Sequence, residues 1–526
     1  AFKNFAQQEE VLQVLVGAVV AQLTSTEVQQ IVQSPEALAT FLGLGGDISA
    51  QAELRGQVYD MFSLFTNVVS NSRLPRKQDM RKGGFYGQNG VRHPTGPFLM
   101  QCLPVALSLA ASVHSLWLPE VRAAVPSHYS AVLEHDPSDI RNLLCSVKVA
   151  DAETMREQED EKQAISPEVS QAAAEVRRVQ LWLTSMRSFA YRIFANSCAR
   201  VPAFYDNVTP DMLYQAFFRF LDTMDDIHMR TFFRHLLIPL MTNCPEAKFE
   251  PVVSRVLQLL LEHMLARLEA SWQAFSRRKS GDEEVGGSAR EEIVEDLSLR
   301  MVSKEYVDAL KALYLRQEEN AQRKGSQRGK TFSPSALWRF SVSQPTLAKP
   351  LLLTLSNAVV YPDSNTLAAT LELLTHVLPT IANMEVFHSF VHSHLLPKLL
   401  LAVSNTPKQS ARVGDLAHLV ELCFRATHMH EATLRMMLQV PGVTLESLKP
   451  CMPQTGSEAE LKASKACMKK LLKHLTGART VEQQGKQKYA VQDLIQKVFV
   501  RNVEEYSNSW RSDEQADLAI ASLWAE

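Results

Sequence analysis

Apolar residues recur every three or four positions along almost the whole chain of 526 residues, and this spacing is the strongest constraint on its fold. Helices with one apolar face produce that period, whereas half-buried strands alternate strictly between apolar and polar residues. No convincing series of alternating segments joined by Asn-Gly or Asp-Gly turns occurs. The pattern therefore predicts an all-α protein.

Helical stretches follow one another through short Pro, Asn or Ser links, and clear examples are residues 98–113, 363–383 and 385–403. Successive helix pairs that bury their apolar faces on their neighbours form stacked arrays of the HEAT type, with a period of about 40 to 47 residues. Internal similarity is weak, although 235–239 and 394–397 both end in a proline within a leucine-rich helix. We predict a HEAT-repeat superhelix, an α-solenoid of stacked antiparallel helix pairs; a globular helix bundle is the alternative.

Four segments interrupt the helical pattern of the predicted array, which spans residues 1–526. Residues 71–97 are rich in Gly, Pro and basic side chains and are predicted to form a long ordered loop. Residues 151–163 and 276–296 are predicted as acidic linkers, and residues 318–332 as a polar linker. Loops this long within a compact array are either functional or disordered.

The overall composition excludes several classes of protein. A formal net charge of −2 rules out a chain that holds polyanions by its total charge, so any nucleic-acid contact must use local clusters. Seven cysteines without a CxxC pair indicate a reducing compartment rather than a disulfide scaffold. The chain starts at Ala1 in the middle of a helical pattern, which suggests that residues precede it, and no membrane span is predicted.

Motifs for catalysis or cofactors are weak. The glycines at 325 and 329 are separated by three residues, whereas a phosphate-binding loop requires four, and a solvated linker is the favoured interpretation. His388 and His392 share a helical face, but no HExxH motif or third ligand accompanies them. No nucleophile elbow occurs. We expect a protein that is not an enzyme and holds no cofactor or metal.

A first basic cluster lies in the loop at 71–97. It contains one acid, Asp79, and two interleaved aromatic residues, Phe85 and Tyr86. Six cations beside aromatic side chains can follow RNA phosphates and stack on an exposed base. The cations of this loop are Arg73, Arg76, Lys77, Arg81, Lys82 and Arg92.

A second basic cluster occupies one face of a predicted helix near residue 467, while leucines and Met468 line another face. Such an amphipathic helix can pack one face on the core and present the other to a polyanion. An ordinary solvated surface is the alternative interpretation of each cluster. The lysines of the helix are Lys462, Lys465, Lys469, Lys470 and Lys473.

A succession of short residue groups carries a family resemblance. Between Asp222 and Trp272 the groups are Met229-Arg230, Pro239-Leu240, Cys244-Pro245, Phe249–Val253, His263-Met264 and Arg267-Leu268. The groups outside that stretch are Val68-Val69, Pro75 and Gly83-Gly84-Phe85 before it, and Glu291-Glu292, Arg300-Met301, Lys304-Glu305 and Lys469–Leu472 after it. In this order the chain resembles the exportin five family, the pre-microRNA export receptors of the karyopherin-β superfamily.

The resemblance implies a HEAT-repeat superhelix and a nuclear export receptor that shuttles between nucleus and cytoplasm. It also implies nucleoporins as partners and cargo release governed by the GTPase Ran. Ran-GTP is held mainly by the N-terminal repeats in this superfamily, and the chain resembles the C-terminal half. Relatives in the same exportin group carry transfer RNA or proteins, so the cargo is less constrained than the family.

Together, these observations predict the C-terminal part of a receptor that carries structured RNA, such as a hairpin precursor microRNA, with Ran-GTP. The loop and helix cations are the expected phosphate contacts, and Arg55, on the helix before the loop, is a candidate contact for the RNA end. The alternatives are an exportin of protein or transfer RNA cargo, and a helical-repeat scaffold without a transport role.

Overall fold

The computed structural model describes residues 4–87, 90–134, 167–280, 289–318, 331–382, 384–406, 410, 412–428, 430–439, 443–451 and 458–475. Helices dominate these residues, and the strands among them form two small antiparallel hairpins. The predicted all-α helical-repeat class is confirmed. The acidic linker predicted at 151–163 lies outside the described residues.

The first half of the chain supplies thirteen α-helices to the described residues. They are α1 (Phe5–Leu23), α2 (Thr26–Val32), α3 (Pro35–Leu42), α4 (Ala52–Asn71), α5 (Lys77–Lys82), α6 (Gly96–Ser115), α7 (Pro119–Ala124), α8 (Pro167–Arg200), α9 (Phe204–Asn207), α10 (Pro210–Ala216), α11 (Asp226–Phe232), α12 (Ile238–Thr242) and α13 (Ser254–Ser280). Short 3₁₀ turns lie at Ser49–Gln51, Ser127–Leu133, Phe218–Thr223 and Glu246–Lys248, and π segments at Phe233–Leu237 and Phe249–Val253.

Ten further α-helices follow in the described residues. They are α14 (Ala289–Tyr314), α15 (Ala336–Ser343), α16 (Pro345–Ala358), α17 (Ser364–Ala382), α18 (His388–Phe390), α19 (Leu396–Asn405), α20 (Val413–Thr427), α21 (Glu431–Gln439), α22 (Leu445–Leu448) and α23 (Glu458–Leu475). Short 3₁₀ turns lie at Glu385–Phe387 and Lys449–Cys451, and a π segment at Val391–Leu395. The strands are β1 (Tyr86–Gly87), β2 (Gly90–Val91), β3 (Leu315–Glu318) and β4 (Thr331–Pro334).

The chain divides into two compact units. One contains Ala1–His263 and Gln273–Ala309, and the other contains Met264–Trp272 and Leu310–Glu526. In the first unit, the long helix α8 packs along α6 and α4, and α1 packs on α4. Its core is rich in aromatic rings, and at its centre the Tyr191 hydroxyl lies 2.9 Å from His114 Nε2.

The second unit is built from leucine-rich helices that pack on one another, chiefly α17 and α19 on α20, and α20 on α23. Trp338, which is fully buried, donates from Nε1 to Thr380 Oγ1 at 2.9 Å and thereby joins α15 to α17. Each unit thus consists of successive helices that bury their apolar faces on neighbouring helices.

The prolines at 239 and 397 share an unusual setting. Each lies two residues after the end of a π segment: Pro239 follows the segment at 233–237, and Pro397 follows the one at 391–395. A proline within a helix clashes with the carbonyl group four residues earlier, and here that carbonyl group belongs to the π segment. The wider π turn accommodates the clash, so both helices continue past their prolines.

The segments predicted as loops and linkers are more regular than their composition indicates. Residues 71–97 contain the short helix α5 and the β1–β2 hairpin. Helices α13 and α14 extend into 276–296 from both sides, to Ser280 and from Ala289. Strands β3 and β4 pair at the two ends of the predicted polar linker, whose residues 319–330 lie outside the described part of the chain.

Two helical segments of the described chain are long and apolar enough to cross a membrane, Gly96–Ser115 and Glu385–Asn405. In each, 61% of the most apolar window is buried inside the protein. Burial in the core accounts for their apolar composition.

Candidate nucleic-acid interface

The basic loop is held in place by a small apolar cluster. Phe5 of α1, Met80 of α5 and Phe85 are buried together, and Leu74 packs against them. The rings of Phe5 and Phe85 meet edge to face, with their centroids 5.6 Å apart. An edge-to-face pair of this kind contributes about 0.5–1.5 kcal/mol of stability beyond the hydrophobic gain from the surface that it buries. Phe5 could not be identified as an anchor from sequence, because it lies in an ordinary amphipathic helix 80 positions from Phe85.

Backbone hydrogen bonds complete this attachment. The Phe5 N–H donates to the Gly83 carbonyl at 2.8 Å, and the Arg92 N–H donates to the Phe85 carbonyl at 2.7 Å. Between them, Gly84 adopts a φ of +78°, in the left-handed region that favours glycine. The start of α1, helix α5 and the β1–β2 hairpin are therefore joined by both side-chain packing and hydrogen bonds.

All six cations of the basic loop are exposed, while its apolar side chains point inward. Within the part of the chain that the structure describes, none of the six forms an ion pair with a carboxylate. The Arg92 guanidinium lies over the Phe5 ring, 4.4 Å from its centroid, which fixes one of the cations beside the hairpin. The arrangement leaves six positive charges available to an anionic partner.

The two aromatic residues of the loop have different environments. Phe85 has 0% of its surface exposed and belongs to the anchor, whereas Tyr86 is 49% exposed on strand β1. The sequence offered both as stacking residues. Of these two residues, only Tyr86 can stack on a base, because the Phe85 ring is buried in the apolar cluster.

A cleft of about 460 Å³ lies between the loop and the end of α8, lined in part by Leu74, Val91, His93 and Arg200. Burial, and secondarily the Arg200 charge, lower the pKa of His93 to about 4, so its imidazole is neutral at physiological pH. Arg200 donates to the carbonyls of Val69 and Ser70 at the end of α4. Its guanidinium therefore joins α8 to the helix that precedes the loop.

Arg55 does not belong to this surface. It is 4% exposed, and its Nη1 donates to the carbonyls of Ile48 at 2.6 Å and Leu42 at 3.3 Å. Its own carbonyl accepts from Trp182 Nε1 at 3.0 Å. The burial of Arg55 argues against the prediction that it contacts the RNA end, because its guanidinium donates to two carbonyl groups at the ends of neighbouring segments.

The second cluster lies on α23, as its amphipathic pattern predicts. Met468 and Leu472 are buried, and the residue surfaces of Lys462, Lys465, Lys469 and Lys470 are exposed. Lys473 lies in the same helix, but its side chain is outside the described residues. The helix therefore presents a lysine-rich face while its apolar face packs on α20.

A buried polar contact joins α23 to α20. The Ser464 hydroxyl donates to the Cys451 carbonyl at 2.8 Å, and its Oγ also lies 3.3 Å from Glu421 Oε1. Burial raises the pKa of Glu421, against the opposing effect of Arg425, whose Nη1 lies 3.7 Å from Oε1. The loop cluster and the α23 cluster belong to different units of the chain.

The histidines singled out in the sequence do gather, but not around a metal-binding geometry. The ring centroids of His388 and His392 lie 5.4 Å and 5.5 Å from that of His430. Among the described residues, no group of three or more His, Cys, Asp or Glu side chains is placed to hold a metal ion. His388 Nε2 instead lies 3.0 Å from the Ala382 carbonyl, a structural contact.

Fold and surface together define an all-α helical-repeat protein that presents two clusters of exposed cations. The sequence model of the Exportin-5 family matches residues 1–488. The chain belongs to the Exportin-5 family, in agreement with the resemblance seen in its residue succession.

Individual relatives are distant. Exportin-5 of Dictyostelium discoideum is 22% identical over 512 residues, which cover 93% of this chain and 40% of the relative. Exportin-5 of Homo sapiens is 22% identical over 330 residues, 59% of this chain and 26% of the relative. Protein HASTY 1 of Arabidopsis thaliana is 23% identical over 254 residues, 47% of this chain and 21% of the relative. The chain thus spans less than half the length of the relatives that it matches.

Proposed function

We propose that this chain is part of a nuclear export receptor and that it contacts structured RNA, such as a hairpin precursor microRNA, through the basic loop and the lysine face of α23. The observation that carries the proposal is the exposure of all six loop cations above a buried apolar anchor. Membership of the Exportin-5 family supports the export role.

RNA fits this surface for a physical reason. A-form RNA hides its base edges in a deep, narrow groove, so a receptor of many hairpins must recognise phosphates, shape and unpaired ends. Exposed arginines and lysines supply phosphate contacts without reading sequence. Tyr86, exposed among these cations, offers a stacking surface for an unpaired base.

The partners of the receptor follow from the same family membership. We expect Ran-GTP to bind mainly through repeats that precede this chain in the whole receptor, and nucleoporins to carry it through the pore between nucleus and cytoplasm. The role we propose is binding rather than catalysis, because the candidate surface consists of exposed cations and one exposed aromatic ring.

The test is a charge-removal variant of the whole receptor, assayed with Ran-GTP. Arg76, Lys77, Arg81 and Lys82 are replaced by Gln, and hairpin RNA affinity is measured by filter binding between 50 and 200 mM salt. For duplex DNA, the logarithm of the binding constant falls with the logarithm of the salt concentration by about 0.9 per neutralised phosphate. If the wild type neutralises about six phosphates, its affinity should fall about a thousandfold across this range, with a slope of about 5. Loss of four phosphate contacts should reduce that slope to about 2.

A matched control removes four exposed arginines elsewhere in the same unit, Arg122, Arg178, Arg192 and Arg255. It changes net charge equally and should leave most of the slope intact. Equal slopes for wild type and loop variant would remove the loop from the RNA contacts. If a protein cargo binds and short hairpins do not compete with it, the protein-cargo alternative is favoured instead.

A further inference from the structure

Helix α23 places Cys467 next to the buried Cys451. Cys451 ends the 3₁₀ turn Lys449–Cys451, has 0% of its surface exposed, and its carbonyl accepts from the Ser464 hydroxyl at 2.8 Å. Cys467 follows Ser464 by three residues, so both side chains lie on the face of α23 that packs on this turn. The helix therefore brings a second thiol to the buried one.

The two thiols are in contact and unoxidised. A hydrogen bond links the Cys451 side chain to that of Cys467, and Cys451 Sγ also lies 3.8 Å from the Ser447 carbonyl oxygen. Both residues are free cysteines. Two cysteines can be bridged without backbone movement only when their side chains already approach each other, because the disulfide bond has a strict geometry. This pair meets that requirement of proximity.

The two cysteines differ in their access to solvent, which sets the order in which they react. Cys467 is half-buried, whereas burial, and secondarily the hydrogen bond to Cys467, raise the pKa of Cys451 to about 12. Exposed lysines at 465, 469 and 470 lie within three positions of Cys467 and attract an anionic oxidant. Reactive cysteines typically occupy such electropositive, partly exposed places, so Cys467 is the first to react.

We infer that Cys467 and Cys451 form an oxidative modification site, which a low-molecular-weight disulfide of the glutathione class converts reversibly into a protein disulfide. The Cys467 thiolate attacks one sulfur of the oxidant, forms a mixed disulfide and releases the first glutathione thiolate. The Cys451 thiol gives its proton to that thiolate, and its sulfur attacks Cys467 Sγ and releases the second glutathione. Two protein thiols thereby lose two electrons and two protons, and the oxidant becomes two thiols.

The disulfide fixes α23 to the turn at 449–451. The two cysteines are 16 positions apart. Closing a loop of this length removes so much freedom from the open chain that the population in which α23 has left the turn falls about a hundredfold. Oxidation thus holds the lysine face of α23 in place, and a reductant releases it. The inference needs no RNA and therefore goes beyond the proposed function.

The test exposes the folded full chain to oxidised glutathione at pH 8 and maps disulfides by non-reducing peptide mass spectrometry. We expect peptides joined through Cys451 and Cys467, and their separation by dithiothreitol. Cys451→Ser should stop at one glutathione on Cys467, and Cys423→Ser, which changes a fully buried cysteine of the same unit, should keep the cross-link. Prior alkylation of Cys467 in the folded wild type should also prevent the cross-link, which keeps the test valid if Cys451→Ser fails to fold.

Three results would overturn the inference: no reaction, a lasting glutathione adduct on Cys467 of the wild type, or Cys451 joined to another cysteine. Amide hydrogen exchange then compares the oxidised and reduced chains. The amides of the buried Met468 and Leu472 should exchange about a hundredfold more slowly after oxidation, whereas that of the buried Leu103, in the first unit, should not change. Equal rates for Met468 and Leu472 in both chains would refute the fixing of α23.

Discussion

The apolar anchor makes the position of the loop cations depend on an uncharged residue, and Phe85→Ala measures that dependence. Phe85 is fully buried against Phe5 and Met80. Replacement of a buried Phe by Ala costs about 3–5 kcal/mol. The lower end applies here, because a cluster of four side chains near the surface can partly collapse. A loss of about 3 kcal/mol raises the open population of the loop roughly a hundredfold.

Amide hydrogen exchange is the assay, because two amides report directly on the attachment. The N–H groups of Phe5 and Arg92 bond to carbonyls of the loop, and their exchange should accelerate roughly a hundredfold in the variant. Tyr86→Ala, one residue away at an exposed site, should leave both rates nearly unchanged. Unaltered protection in Phe85→Ala would refute the anchor. In the whole receptor, the same variant should weaken RNA binding although no charge is removed.

Further predictions concern stability and reactivity. Arg55→Met should destabilise the first unit by about 2 kcal/mol in urea unfolding, because the Leu42 and Ile48 carbonyls lose their donor, and should leave the salt slope of RNA binding unchanged. His93 has a folded pKa of about 4, below the ordinary value of 6.5, so its contribution to stability is intact above pH 6.5 and is lost as the pH falls toward 4. His93→Asn should therefore remove about 2 kcal/mol of the stability difference between pH 7 and pH 5. Iodoacetamide at pH 8 should modify the half-buried Cys467 before it modifies the buried cysteines among the described residues. The thiolate is the reactive form, and burial raises the pKa of thiols such as that of Cys102 to about 12. Peptide mass spectrometry measures the order of modification.

Periodicity predicted most helices well, because burial of one face imposes it. The stretches at 98–113 and 363–383 correspond to α6 at 96–115 and α17 at 364–382. The stretch at 385–403 is also helical, but it consists of a 3₁₀ turn, a short α-helix, a π segment and α19. An extra residue in one turn leaves the apolar spacing almost unchanged, so the pattern could not reveal it.

The candidate site was harder to predict, because its decisive contacts join distant residues. Phe85 and Tyr86 look alike in sequence, and only the position of Phe5 makes one an anchor and the other an exposed ring. From the sequence, Arg55 was predicted as a surface charge, because the spacing of residues cannot show which backbone carbonyl groups lack a hydrogen-bond donor.

The π turns before Pro239 and Pro397 also have a consequence for how these helices tolerate change in length. One residue of an α-helix corresponds to a rotation of about 100°, so a single insertion normally turns every later side chain away from the core. A widened turn absorbs the added residue where it occurs and keeps the later leucines in phase. Deletion of one residue from 233–237 should therefore restore an ordinary α turn and place Pro239 against a carbonyl group with no room to move aside.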